Sequence, residues 1–201
     1  MFVKVCGLRT ERDVTAAVEA GADAIGFVFS QSVRQIEPEV ARHLAQAVPE
    51  HILTVAVFGG TPAAQAGRIA SDCGIRAIQL HGDYPRNAFA QLAELPVRLI
   101  RATTLGPGVE VATGAYGEHM LLLDSSVAGS GQRWDLALLH QKRPSGNWLL
   151  AGGLNAGNVL SAIEAAHPWG VDVSSGLESA RGVKDPGLIR QFVSLVRSAL
   201  P

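Results

Sequence analysis

Two side chains that can move protons stand at the ends of apolar runs in this sequence. Cys6 ends the largely apolar run 2–5, and Gly7 behind it lets the chain turn. Asp124 directly follows the apolar run 120–123. Apolar runs without strict polar alternation are typical of strands that are buried on both faces of a parallel sheet. A thiol and a carboxylate at the carboxyl ends of such strands occupy the edge where parallel α/β folds collect their catalytic groups.

Two more polar side chains, Arg34 and His81, follow other apolar runs and join the predicted site. Arg34 lies in the polar loop 30–35 after the second run, and His81 follows the fourth run. Each candidate also has a purely structural interpretation. A cysteine is often a small buried apolar residue, and an aspartate in a loop often accepts local hydrogen bonds. Arg34 could be a solvated loop residue, and His81 could cap its own strand by hydrogen bonding.

Small residues dominate the loops after the last three predicted strands, which suits a phosphate site. Glycines allow a ligand to approach the backbone closely, and free amides at the start of a helix bind anions. In barrels of alternating strands and helices, the loops after strands seven and eight frequently hold phosphate. Ordinary tight turns are the alternative interpretation. The predicted phosphate-binding residues are Gly129, Ser130, Gly131, Gly152, Gly153, Ser174, Ser175 and Gly176.

Eight apolar runs alternate with stretches of helical spacing along the chain. The predicted strands are residues 2–6, 24–29, 52–58, 77–80, 97–101, 120–123, 148–151 and 171–173. A helix between the fifth and sixth strands would be short, and another short helix is predicted near 134–141. This alternation predicts a parallel sheet with right-handed crossovers, and eight units close into a single (β/α)8 TIM barrel of the α/β class over residues 1–201. An open doubly wound sheet is the alternative, but its Gly-x-Gly-x-x-Gly motif is absent after the first strand.

Composition, charge and residue spacing narrow the class of protein and the kinds of partner that it could bind. The 201 residues are 47% hydrophobic and 17% charged, which is typical of a globular chain, and the net charge of −1 argues against nucleic-acid binding. No segment approaches the ~20 apolar residues of a membrane span, and charged residues interrupt residues 1–20, where a signal peptide would be apolar. The histidines lack zinc-like spacing and the two cysteines make no disulfide framework. We therefore expect a cytoplasmic enzyme that acts on a small phosphorylated metabolite without metal or dinucleotide.

Six segments, in register along the chain, resemble the phosphoribosylanthranilate isomerase family of tryptophan biosynthesis. Each motif alone is weak, but the six together are specific, and the likeness runs from about residue 3 to residue 196. The segments are residues 4–8, 21–29, 79–82, 122–125, 150–154 and 171–178.

The resemblance implies a cofactor-free Amadori rearrangement of N-(5-phosphoribosyl)anthranilate to 1-(2-carboxyphenylamino)-1-deoxyribulose 5-phosphate. Asp124 matches the general acid that protonates the ribose ring oxygen, and Cys6 matches the general base that removes the proton at C2. Arg34 matches the arginine that holds the anthranilate carboxylate with its planar fork of donors. His81 and Asp172 are further candidates for substrate binding, the latter through the sugar hydroxyls. The expected partner is this phosphorylated small molecule, and the chain is expected to be a monomer or a homodimer.

Some positions depart from the family pattern, but none removes a group that the chemistry needs. Residues 32–34 read Ser-Val-Arg where Ser-Pro-Arg is usual, and residues 128–131 read Ala-Gly-Ser-Gly where Gly-Gly-Ser/Thr-Gly is usual. Two other functions stay open as alternatives. The histidine-pathway phosphoribosyl isomerase performs the same rearrangement with aspartates at the ends of strands one and five, where this chain has Cys6 and Arg101. The second alternative is a barrel that binds phosphate, has no catalytic activity and serves as a partner subunit.

Overall fold

Eight parallel strands close into a barrel in chain order, because each strand pairs with the next and β8 pairs with β1. The computed structural model describes residues 1–106, 108–124, 139 and 141–199. The strands are β1 Phe2–Cys6, β2 Ala24–Val28, β3 Leu53–Phe58, β4 Ala77–His81, β5 Arg98–Thr104, β6 Met120–Asp124, β7 Trp148–Leu150 and β8 Gly170–Val173. The predicted (β/α)8 barrel is confirmed, with strand ends shifted by a few residues.

Helices cover the outside of the barrel between the strands. In the described segments they are α1 Glu11–Glu19, α2 Pro38–Gln46, α3 Ala63–Asp72, α4 Arg86–Ala90, α5 Val159–Ala166 and α6 Pro186–Ser198. Of the described residues between β5 and β6, none is helical, so that connection is a series of turns. The helix predicted near 134–141 lies largely outside the described residues. No helix in the described part of the chain is long and apolar enough to cross a bilayer.

Local sequence signals set where several of these helices begin. Thr10 Oγ1 accepts a hydrogen bond from the amide of Asp13 at 3.2 Å, which satisfies an otherwise unpaired donor at the start of α1. Pro38 occupies the first turn of α2, where its missing N–H costs nothing. Asp185 Oδ1 caps α6 by accepting from the amides of Gly187 and Leu188.

Strand alternation divides the core into a layer under the helices and a layer inside the barrel. The interior layer is built mainly from small and aliphatic side chains, together with Cys6. Lys4 points into the same interior one pleat below Cys6 and is fully buried. Its Nζ donates to Asp172 Oδ1 at 2.6 Å across the seam between β1 and β8. A buried ammonium is tolerated there because it has an opposite charge in contact.

A short antiparallel hairpin follows β8 and was not predicted from the sequence. One 3₁₀ turn, Ser175–Leu177, leads into β9 Glu178–Ala180, which pairs with β10 Val183–Lys184. Arg9, in the loop after β1, donates to the carbonyl oxygen of Gly182 at 2.6 Å and anchors the turn of the hairpin. The hairpin therefore lies over the β1 side of the barrel mouth.

Candidate active site

Cys6 is the last residue of β1 and lies inside the barrel at its mouth, with 7% of its surface exposed. Gly26, its partner on β2, makes room for it, because a Cβ at that position would come within 2.8 Å of Cys6 Sγ. Gly7 then adopts φ +79°, a conformation that favours glycine, and a Cβ there would lie 2.9 Å from Arg34 Cδ. The two glycines allow the thiol and the arginine to pack against the same strand end.

The charges around Cys6 oppose one another. Burial raises the pKa of the thiol, the Lys4 ammonium lowers it, the Asp172 carboxylate raises it, and Lys184 lowers it, with a net increase. Burial alone would lower the pKa of Lys4, but the attraction of Asp172 and Cys6 raises it, so Lys4 keeps its proton. The net effect is a raised pKa for the Cys6 thiol, with the Lys4 cation acting against that increase.

Asp124 is the last residue of β6 and faces the interior, as expected from its position after an apolar run. Its side chain is 22% exposed, and its Oδ2 lies 3.9 Å from Nε2 of His81 at the end of β4. That separation is too long for a hydrogen bond but short enough for a protonated imidazole to act on the carboxylate. The sequence-based placement of both residues at strand ends is therefore correct.

A cavity of about 710 Å³ at the carboxyl ends of the strands brings most predicted site residues together. This volume suits a small-molecule ligand. Among its lining residues are Arg34, Asp124, Gly152, Gly153, Asp172, Ser174, Ser175 and Glu178. Cys6 adjoins it, because Ser174 Oγ donates to the Cys6 carbonyl oxygen at 3.0 Å. His81 instead borders a neighbouring cavity of about 540 Å³ between the loops after β3 and β4.

The loops after β7 and β8 form one continuous wall of this cavity. Gly152 and Gly153 both have positive φ, at +94° and +64°, and expose their backbone. Gly176 packs directly on the first of these loops, since a Cβ there would overlap the carbonyl oxygen of Leu154. Asn155 caps the turn before α5, where its Oδ1 accepts from the amide of Gly157, and does not cap the helix itself. The remaining predicted phosphate residues, Gly129, Ser130 and Gly131, lie outside the described residues.

Two residues of the hairpin, Glu178 and Lys184, complete the site and were missed as functional residues. Glu178 accepts from Arg34 Nε at 2.6 Å and Nη2 at 2.9 Å, and from Lys184 Nζ at 2.7 Å. Burial alone would raise the pKa of Glu178, but the hydrogen bonds from Arg34, Lys184 and the Gly182 amide lower it to about 2. Glu178 is the last residue of the family-like segment 171–178, so its position in that segment was a usable signal. Lys184 carried no such signal, because the hairpin that brings it to the site was not predicted.

Arg101 does not belong to the site, although it lies near a strand end in sequence. Its neighbours Ile100 and Ala102 face the barrel interior, so Arg101 points outward. There its Nε donates to Glu118 Oε1 at 2.8 Å, and its guanidinium lies 4.5 Å from the Tyr116 ring centroid. Arg101 therefore fastens the loop after β5, and the end of β5 presents no carboxylate to the cavity. Among the described residues, no His, Cys, Asp and Glu side chains are grouped as metal ligands.

A closed parallel barrel with a cavity, a thiol and a carboxylate at the carboxyl ends of its strands defines a (β/α)8-barrel enzyme. The model of the N-(5'-phosphoribosyl)anthranilate (PRA) isomerase family matches residues 3–195. The chain belongs to this family, and it is an isomerase.

Relatives and solved structures agree with this assignment. The chain is 41% identical to N-(5'-phosphoribosyl)anthranilate isomerase of Nitrosospira multiformis, over 95% of this chain and 94% of the relative. It superposes on TrpF from Jonesia denitrificans with a TM-score of 0.91 and 47% identity, covering 98% and 97% of the two chains. A phosphoribosyl anthranilate isomerase in complex with reduced 1-(o-carboxyphenylamino)-1-deoxyribulose 5-phosphate gives a TM-score of 0.83 at 33% identity, covering 98% and 99%.

Proposed function

We propose that this enzyme converts N-(5-phosphoribosyl)anthranilate to 1-(2-carboxyphenylamino)-1-deoxyribulose 5-phosphate in tryptophan biosynthesis, with Cys6 as general base and Asp124 as general acid. The observation that carries the proposal is that Asp124, at the end of β6, lines the cavity and Cys6, at the end of β1, adjoins the same cavity through Ser174. Family membership and the solved relative in complex with a reduced product analogue support the substrate.

Asp124 acts first, by donating a proton to the ribose ring oxygen. The bond between that oxygen and C1 breaks, while the lone pair of the anthranilate nitrogen forms a C1=N iminium. The side chain of Asp124 is partly exposed at the cavity wall, so its carboxyl group can reach a bound sugar. The iminium then acidifies the C–H bond at C2, which prepares the second step.

Cys6 acts second, as the thiolate that removes the proton at C2. The electron pair of that C–H bond moves to form an enolamine, which becomes the C2 ketone when C1 gains a proton and the C2 hydroxyl loses one. No electron donor or acceptor is needed, because the product is an isomer of the substrate. The cation of Lys4 beside the thiol supports the charged form that this step needs.

The remaining site residues bind the two ends of the substrate. Arg34 is suited to the anthranilate carboxylate, and the backbone of the loops after β7 and β8 is suited to the phosphate. The phosphate residues are Gly152, Gly153, Ser174, Ser175 and Gly176, to which we add Gly129, Ser130 and Gly131 from the sequence. We propose Asp172 as a partner of the sugar hydroxyls and His81, whose Nε2 lies 3.9 Å from Asp124 Oδ2, as a further substrate-binding residue. A catalytic thiol has to stay reduced, which favours the cytoplasm as the compartment.

The test is turnover of freshly prepared N-(5-phosphoribosyl)anthranilate, followed by the loss of its fluorescence and corrected for spontaneous decomposition. Cys6→Ala and Asp124→Ala are each expected to lower kcat by about 10²- to 10⁴-fold while circular dichroism stays unchanged. Cys73→Ala is the matched control, because Cys73 is buried between helices on the outside of the barrel. A folded Cys6 or Asp124 variant with near-wild-type turnover would sink the assignment of that residue.

A further inference from the structure

Three charged side chains at the cavity edge form one hydrogen-bonded unit, the charge triad Arg34, Glu178 and Lys184. Glu178 accepts from both partners, and Lys184 and Glu178 are only 2% and 5% exposed at their side chains. Arg34 is the most accessible member, with 24% of its side chain exposed, and it lines the cavity. Glu178 lines the cavity beside Arg34, and Lys184 lies behind them.

Glu178 fixes which donors of Arg34 point at a ligand. A guanidinium has five N–H donors in a rigid plane, and Glu178 engages one at Nε and one at Nη2. The donors of Nη1 and the second donor of Nη2 lie on the other edge of the fork. This fixed orientation is what bidentate recognition of a planar carboxylate requires.

Lys184 keeps the charge triad cationic. An arginine paired with a single carboxylate has no net charge, whereas two cations and one carboxylate leave a net charge of +1. The ammonium of Lys184 has three donors, and three acceptors surround it: Glu178 Oε1 at 2.7 Å, the Ser174 carbonyl oxygen at 2.9 Å and Ser174 Oγ at 3.2 Å. Burial lowers the pKa of Lys184, and its hydrogen bond to Glu178 and the charge of Glu178 act in the opposite direction and favour the ammonium form.

We propose that Glu178 and Lys184 are positioning residues for recognition of the aromatic carboxylate of the substrate. Glu178 aims the fork of Arg34, and Lys184 preserves the positive charge that attracts an anion. Through Ser174, Lys184 also ties this arm to the loop that we assign to the phosphate. The inference rests on the proposed function and extends it to the selection of substrates that bear a carboxylate on the aromatic ring.

The experiment compares two substrates, N-(5-phosphoribosyl)anthranilate and N-(5-phosphoribosyl)aniline, which lacks the carboxylate. Lys184→Met is expected to raise KM for the first substrate by about 10- to 100-fold. Its KM for the aniline substrate should rise by a clearly smaller factor, because only the contact with Ser174 is lost for that substrate and no carboxylate is there to be recognised. A loss that is equal for the two substrates would overturn the proposal.

A double variant separates charge from simple damage to the hairpin. Glu178→Gln combined with Lys184→Met removes one charge of each sign, restores the net charge of +1 and keeps one acceptor for Arg34. It should reverse much of the rise in KM for the anthranilate substrate that Lys184→Met alone causes. A double variant whose KM is as high as that of Lys184→Met would contradict the role of the net charge. If Lys184→Met alone does not fold, the double variant still provides a test, because it leaves no buried charge unpaired.

Arg9→Met is the matched control, because it removes another cation that anchors the same hairpin through Gly182. Arg9→Met should change the KM values for the two substrates by the same factor. The proposal requires instead that Lys184→Met raise KM more for the anthranilate substrate than for the aniline substrate. The outcomes also separate the two levels of argument. Wild-type enzyme without turnover of the anthranilate substrate would refute the proposed function, while turnover without discrimination by Lys184→Met would refute this inference alone.

Discussion

Cys6 lies where the barrel interior holds opposite charges close together, and these charges decide whether it can act as a base. Burial raises the pKa of its thiol, Lys4 and Lys184 lower it, and Asp172 raises it. Arg34, in the loop after β2, adds a further positive charge facing the thiol. Because the proposed proton abstraction needs the thiolate, the balance among these groups would set the fraction of enzyme that is ready to react at a given pH.

Two substitutions beside the thiol are expected to shift its pKa in opposite directions. Lys4→Met removes the cation that lowers the pKa of Cys6 most, so this pKa should rise. Asp172→Asn removes the nearest anion, so the pKa should fall. The measurement is the ultraviolet absorbance of the thiolate as a function of pH, in a Cys73→Ala background so that only one thiol titrates.

The opposite signs make the experiment selective for electrostatics. Both substitutions break the same buried ion pair, so a purely structural disturbance would move the titration the same way in each variant. Lys142→Met, which removes an exposed lysine, should leave the titration of Cys6 unchanged. Shifts of one sign in both variants would show that packing, and not charge, controls the thiol.

At the scale of elements, the hairpin β9–β10 depends on Glu178 for its attachment to the barrel. Glu178 receives hydrogen bonds from Arg34, from Lys184 and from the amide of Gly182 within its own hairpin. These bonds are stronger to the ionised carboxylate than to the protonated one, and they hold its pKa at about 2, below the ordinary value of 4.5. The stability that Glu178 contributes is therefore complete above about pH 4.5 and is lost as the pH falls toward about 2.

Glu178→Gln should accordingly flatten the acid side of the stability profile. Near neutral pH the variant should be less stable than wild type, and the difference should shrink between about pH 4.5 and 2, where wild type loses its advantage. The measurement is the urea midpoint of unfolding at a series of pH values. Glu11→Gln, which changes an exposed carboxylate, is the control. A gap between variant and wild type that stays constant over this range would argue against the charged network.

The elements that the sequence predicted well are those with long periodic patterns or strong caps. The strands around Cys6 and Asp124 are apolar runs with polar ends, and Asp185 before a proline marks the start of α6. The hairpin could not be predicted in this way, because β9 has three residues and β10 has two, too few for alternation to show. Lys184 was missed for the same reason.

The whole molecule brings together groups that are far apart in the chain, and only barrel closure does so. Strand ends predicted one at a time indicated a common mouth, which put Cys6 and Asp124 in one predicted site. Contacts across the seam were not predictable, since they depend on register between the first and last strands. Lys4 faces Asp172 because β1 and β8 pair in that register, and Arg101 turns away because its neighbours occupy the interior.

The seam between β1 and β8 should lose stability when its buried ion pair is broken. Lys4 is fully buried and contacts Asp172 at 2.6 Å, so Lys4→Met leaves a carboxylate without its partner inside the barrel. We expect a loss of about 3–5 kcal/mol in the free energy of unfolding, measured with urea, because an uncompensated buried charge is far costlier than the pair. Glu11 and His43 form an exposed pair that serves as the comparison, and His43→Gln should cost about 1 kcal/mol or less.

The double variant Lys4→Met with Asp172→Asn distinguishes the lost pair from the lost packing of the lysine stem. With both charges gone, no uncompensated charge stays in the interior, so the double variant should be more stable than Lys4→Met alone. Such coupling between residues at opposite ends of the chain requires that the first and last strands touch in the native state. Strictly additive losses from the two substitutions would mean that the seam is held by backbone pairing alone, and that Lys4 is retained for its action on Cys6.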